Sequence, residues 1–190
     1  MIFLLALQFL TAIVNFLLGW FLFFKNPRSA TNQAFALFAV GVSGWNLTIF
    51  LTLIQAGSAT LLWGRLAFSF AALMATGLLW FVHEFPEPSK HTRTWKGIAW
   101  VMSIIFFTIP ASPYMITSVW IVDGHIAGNL VPSWYWTWDI FYLVTLTYAM
   151  IRTWYKTTQA KGLMRNQLRN VSLGITAFLV PYLAFMRKFQ

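Results

Sequence analysis

Ten of the thirteen Lys and Arg side chains fall in three short segments, 25–28, 90–96 and 152–169, and the stretches between them are almost wholly apolar. Each intervening stretch is long enough to cross a bilayer twice, at about 1.5 Å per helical residue and ~30 Å of hydrocarbon. Lys and Arg are retained on the cytoplasmic side of a membrane. An even number of crossings between clusters therefore puts all three clusters on one side, the cytoplasmic one.

Composition agrees with that reading. With 59% hydrophobic residues, 9% charged residues and a mean hydropathy of +0.67, the chain carries more apolar surface than a soluble domain of its size can cover. The formal charge of +9 raises the possibility of a nucleic-acid partner. Binders of that kind display Lys and Arg on one exposed polar face. This chain lacks such a face, and charge sorting by a bilayer already explains the excess, so no nucleic-acid partner is expected. The sequence has no cysteine, which excludes disulfides, thiolate chemistry and Cys-based metal sites.

Residues 2–24 form an uncharged run that exceeds the hydrocarbon thickness. No basic residue precedes it and no small-residue cleavage site ends it, so it reads as an uncleaved anchor with an external N-terminus. The loop KNPRSATNQ follows, where Pro27 stops the first helix and Thr31 or Asn32 can cap the second, placed at about 33–54. That helix is rich in small residues (Ala34, Ala36, Ala39, Gly41, Ser43, Gly44), which in lipid let a neighbouring helix approach closely. A third helix is expected over about 59–84, ending before Pro86 and Pro88, and a fourth over about 96–110. Residues 111–133 contain no Lys or Arg. Within them ITSVWIVDGHIAGNL places β-branched and aromatic residues on both sides of Asp123-Gly124, predicting a small external β-hairpin over about 116–130. A fifth helix at about 134–155 opens on WYWTW, which suits the headgroup layer, and a sixth spans about 169–186. Five basic side chains in 152–169 are expected to lie beside anionic lipid. Arg187 and Lys188 would then end on the outer side, which suggests that the protein continues into a further helix.

Ionisable groups inside a bilayer cost about 2.5–3.5 kcal/mol at a helix centre on insertion scales, so each calls for a partner or a role. Arg65 and Asp139 are each expected about six residues inside the outer end of their helices, at similar depth. They could form an ion pair that clamps two helices, or the floor of an outward-facing ligand pocket; Arg65 could also snorkel to the headgroups. Asn46, within the second helix, and Asp123 and His125, on the hairpin, complete the candidate ligand-binding set. The pattern HEFPEP at the inner end of the third helix, with His83 and Glu84, offers too few ligands for zinc, and interfacial anchoring is its default reading. No Ser-His-Asp order, phosphate-binding glycine loop or HExxH motif occurs. No catalytic residue, metal site or cofactor is therefore expected.

Three segments resemble a known family. NPRSATNQAFALFAVGVSGWNLTIFL, with its Asn-Pro-Arg and mid-helix Trp45, resembles the start of the N-terminal seven-helix membrane region of bacterial sensor histidine kinases. RLAFSFAALMATGLLWFVHEFPEP is similar to that region's third helix, which has an Arg near its outer end and finishes in an aromatic-His-x-x-Phe-Pro pattern. GLMRNQLRNVSLGITAF is similar to its basic loop and the Gly-containing sixth helix. The resemblance covers nearly the whole chain in one order, through scattered positions and not a catalytic signature. It implies a sensor module with six of seven helices present and the cytoplasmic output domain missing.

The sequence thus predicts an all-α membrane protein, a polytopic bundle of six transmembrane helices with a small external β-hairpin. Its expected role is sensory input in a bacterial inner membrane, detecting an unidentified external ligand and signalling to a missing output domain, with a homodimer formed through the full-length protein. The competing class is a small polytopic membrane transporter or channel, which would call for internal repeats and charged groups near mid-membrane. Neither is evident. A membrane-embedded enzyme would need a His or carboxylate cluster at one interface, and only His83, Glu84, Glu87 and His91 come close.

Overall fold

The computed structural model describes residues 2–54, 59–88, 90–122 and 125–186. Its elements are α1 (Ile2–Lys25), α2 (Ala30–Ile54), α3 (Ala59–Glu84), α4 (Thr92–Ala111), β1 (Ile116–Val122), β2 (His125–Leu130), α5 (Pro132–Gln159) and α6 (Gly162–Met186). This is the expected helical bundle with a two-stranded antiparallel sheet. Helices α1 to α4 are long and apolar enough to cross a membrane. Helix α5, with 28 residues, is also long enough but carries Asp139, Arg152 and Lys156.

Helix α3 is the hub, packing against α2, α4, α5 and β1. Burial of apolar surface does not drive helices together in lipid, because acyl chains are as apolar as leucine; close approach and interhelical hydrogen bonds do. Both operate here. A Cβ on Gly41 would lie 2.4 Å from the Met74 nitrogen, and one on Gly77 would lie 2.4 Å from the Phe38 nitrogen, so α2 and α3 touch along their backbones. The small residues of α2 serve two neighbours: Gly41 and Gly44 meet α3, whereas Ala36, Ala39 and Ser43 meet α1. Ser43 donates to the Ala12 carbonyl at 2.8 Å, Ser69 donates to the Phe107 carbonyl at 2.7 Å, and the hydroxyls of Thr76 and Ser103 meet at 2.6 Å. These bonds tie α1 to α2 and α3 to α4. On the opposite side of α1, Leu10 and Phe21 are 57% and 62% exposed, a face that water would not tolerate and lipid would.

The start of α2 differs from the sequence reading. Ser29, not Thr31 or Asn32, caps the helix: its hydroxyl accepts from the Asn32 amide at 3.3 Å. The two expected caps reach elsewhere, Thr31 to the Glu84 carbonyl at 3.3 Å and Asn32 to the Leu22 carbonyl at 2.8 Å. Proximity of three helix ends outweighs the local cap, because each carbonyl at a helix C-terminus lacks an intrahelical donor.

The sheet runs antiparallel with Val122 opposite His125 and Ile116 opposite Leu130, and its register slips between Ile116 and Ser118. The expected Asp123-Gly124 turn lies outside the described residues. The base of the hairpin belongs to the core: Met115 and Ile116 are buried together with Trp138, Phe141 and Tyr142 of α5 and Ala71, Ala75 and Leu78 of α3.

Candidate functional site

Two polar clusters occupy opposite ends of α3. At the hairpin end, Arg65 lies six residues from the helix start, and its Nε and an Nη donate to the Ile116 carbonyl at 2.9 and 2.7 Å. A guanidinium presents its donors as a rigid fork, so two of them on one oxygen fix both the side chain and the strand it holds. Gly64 makes room for this contact: a Cβ there would lie 2.8 Å from Val119, so the hairpin packs directly on the α3 backbone.

Asp139 is buried, at 5% exposure, on the α5 turn that carries Trp138. Trp138 stacks on Tyr142 at 4.9 Å and meets Phe68 of α3 edge-on at 5.1 Å. The Trp138 indole Nε1 and the Ser118 hydroxyl are buried with no hydrogen-bond partner among the described residues. Each such donor costs about 1–3 kcal/mol, and Trp80 Nε1 and Arg152 Nε, toward the opposite end of α3, are likewise buried without a partner among the described residues. Asn46 turns its amide onto its own helix, donating to the Val42 carbonyl at 2.9 Å. His125 opens β2, and its side chain, like Asp123 as a whole, lies outside the described residues.

The opposite end of α3 carries a denser cluster, which the sequence reading treated as interfacial anchoring. The Lys156 ammonium of α5 inserts under the end of α3 and donates to the carbonyls of Val82, His83 and Phe85 at 2.8, 3.3 and 2.7 Å. One cation thereby satisfies orphan acceptors and opposes the negative end of the helix dipole. The sequence reading expects this side chain beside anionic lipid with the rest of its basic segment; the structure turns it onto protein carbonyls instead. His83 stacks on Trp95 of α4 with ring centroids 3.5 Å apart, and its Nε2 lies 3.1 Å from the Tyr148 hydroxyl of α5. Glu84 is fully buried; one carboxylate oxygen accepts from Thr92 at 2.9 Å and the other has no partner among the described residues. With Thr31 of α2 on the Glu84 carbonyl, three helices converge on Val82–Glu84 of α3 and the following Phe85.

Among the described residues no three His, Cys, Asp or Glu side chains lie close enough to share a metal ion. The arrangement holds helices to one another.

Helices of bilayer length, a lipid-compatible outer face and polar clusters confined to the two ends of a central helix define a polytopic helical membrane protein. The chain belongs to the family described as the N-terminal 7TM region of histidine kinase, which matches residues 7–190. It is thus a membrane sensory region of the histidine-kinase type. No curated protein and no solved structure matches it.

Proposed function

We propose that this chain is the input region of a bacterial sensor histidine kinase, seated in the inner membrane with its N-terminus and hairpin outside and its basic segments in the cytoplasm. A signal binds at the hairpin end, against Arg65, Asp139 and Trp138, and is relayed to a catalytic output domain carried elsewhere in a homodimeric full-length protein. The observation that carries this reading is that one helix is gripped at both ends: α3 holds the hairpin through Arg65 and is held by α5 through Lys156. A helix of 26 residues, about 39 Å long, passes a tilt at one end to the other with little loss. The unpartnered Trp138 and Ser118 donors supply what a ligand would satisfy in only one of two packings.

The test is basal autophosphorylation of the full-length protein in native membranes. Arg65→Gln, which frees the hairpin from α3, is expected to shift basal activity several-fold in either direction, with Arg65→Lys intermediate. Normal expression together with unchanged activity and unchanged response threshold in Arg65→Gln would sink the reading.

A further inference from the structure

The bundle carries a second feature unrelated to the hairpin. On the basic side a groove of about 560 Å³ runs between α1 and α4, floored by α2. That volume lies within the ~300–1,000 Å³ of small-molecule sites. Its walls are aromatic: Phe16, Trp20 and Phe24 form a ladder on α1, with ring centroids 6.1 and 4.5 Å apart, and Trp100 of α4 faces them across the groove. The polar lining residues Gln33 and Lys96 both sit at the end next to the basic loops. There the Lys96 ammonium accepts its orientation from Gln33 Oε1, to which it donates at 2.9 Å, and from the Trp80 ring, 5.5 Å away at its centroid. Gln33 in turn donates to the Pro27 carbonyl at 2.7 Å, drawing the loop that bears Lys25 and Arg28 to the mouth.

We propose that this groove binds one anionic phospholipid from the leaflet on the basic side, with the phosphate on Lys96 and an acyl chain along Phe16, Trp20 and Phe24. Length argues for it. From Phe16 to Phe24 is about 12 Å of helix, close to the ~15 Å depth of one leaflet. Charge argues for it as well. A lipid supplies an anion at headgroup depth; Arg93 precedes Lys96 by three residues, and Gln33 ties the loop that carries Lys25 and Arg28 to the same end. A second copy of the chain would fit less well, because Glu84 and Asp139 are buried and Asp123 belongs to the hairpin end, leaving Glu87 as its acidic offering.

The experiment is native mass spectrometry of the purified chain in detergent, titrated with phosphatidylglycerol and with phosphatidylcholine. Phosphatidylglycerol is expected to bind about fivefold or more tightly than phosphatidylcholine, the ratio that one headgroup-to-lysine attraction supplies. Lys96→Gln is expected to abolish that preference and Lys96→Arg to keep it. Val40→Trp, which fills the groove from its exposed floor, is expected to weaken both lipids while leaving the charge intact. Glycerol 3-phosphate, which has the anion but no chains, is expected not to compete. Equal affinity for the two lipids, an unaltered preference in Lys96→Gln, displacement by glycerol 3-phosphate, or lipid-free dimers that Val40→Trp dissociates would each overturn the proposal.

Discussion

The two ends of α3 solve the same problem by unequal means. At the hairpin end a single guanidinium holds a single carbonyl of β1, and neighbouring donors on Trp138 and Ser118 are left unpartnered. At the basic end one ammonium serves three carbonyls, a histidine is sandwiched between α4 and α5, and a buried carboxylate is tied to the first turn of α4, although Trp80 Nε1, Arg152 Nε and one Glu84 oxygen are also unpartnered among the described residues. The polar grip on the hairpin rests on one side chain and is backed by the packing of Met115, Ile116 and Val119, whereas the polar cluster at the basic end is shared by three helices. In the function proposed above, the hairpin end is where a ligand acts and the basic end is where several helices respond together.

The strongest challenge to that contrast is Lys156→Met. It leaves the carbonyls of Val82, His83 and Phe85 without their donor and should cost roughly 3 kcal/mol or more, read as the largest fall in apparent Tm of any single substitution described here. A Tm within a degree of wild type would show that the basic end is not the firmer one. Next, Gly77→Val forces a side chain into the Phe38 backbone and should cost about 1–3 kcal/mol by separating α2 from α3, with both ends loosened together. If only one end loosens, as read by hydrogen exchange, α3 does not couple them.

Arg65→Gln removes two charge-assisted bonds from a half-buried site and should cost about 1.5–2 kcal/mol. Its signature is local: faster amide exchange in Ile116–Val122 with unchanged exchange at 80–85. Equal acceleration at both ends would erase the asymmetry. The smallest effect belongs to Tyr148→Phe, which deletes one hydroxyl beside His83 and should cost about 0.5–1.5 kcal/mol while the stack on Trp95 survives. A loss as large as that of Lys156→Met would make the histidine, and not the lysine, the keystone of the basic end.

Much of this architecture is legible in the sequence because a bilayer is a demanding solvent. Unpaired backbone groups and stray charges are excluded from hydrocarbon, so apolar runs of bilayer length between basic clusters leave few alternatives. The β-branched residues flanking Asp123-Gly124 likewise signal the hairpin, and the small residues of α2 signal its contact with α3. The candidate site is legible only in part. Arg65 stands out as an intramembrane cation, and the structure gives it a hairpin carbonyl to hold. Asn46 stands out as a polar group within a span, yet it satisfies its own helix. The basic-end cluster was missed because its members carry ordinary local explanations: Lys156 sits in a basic segment, and His83 and Glu84 sit at a helix end.

The sequence by itself determined that six helices and a hairpin belong to a membrane protein and which ends share a side, since these follow from hydropathy and charge. It reads the basic segment between about 155 and 169 as a loop, where the structure continues α5 to Gln159 and starts α6 at Gly162, because basic residues at a helix end interrupt hydropathy and not helix. Only the tertiary structure decided that Lys156 reaches under α3 and not into lipid, that Thr31 turns to Glu84 while Ser29 caps α2, and that an aromatic groove opens beside Lys96. Those outcomes depend on which helix ends are brought within about 3 Å of one another, and hydrogen bonds at that range outweigh local preference wherever water is absent to compete.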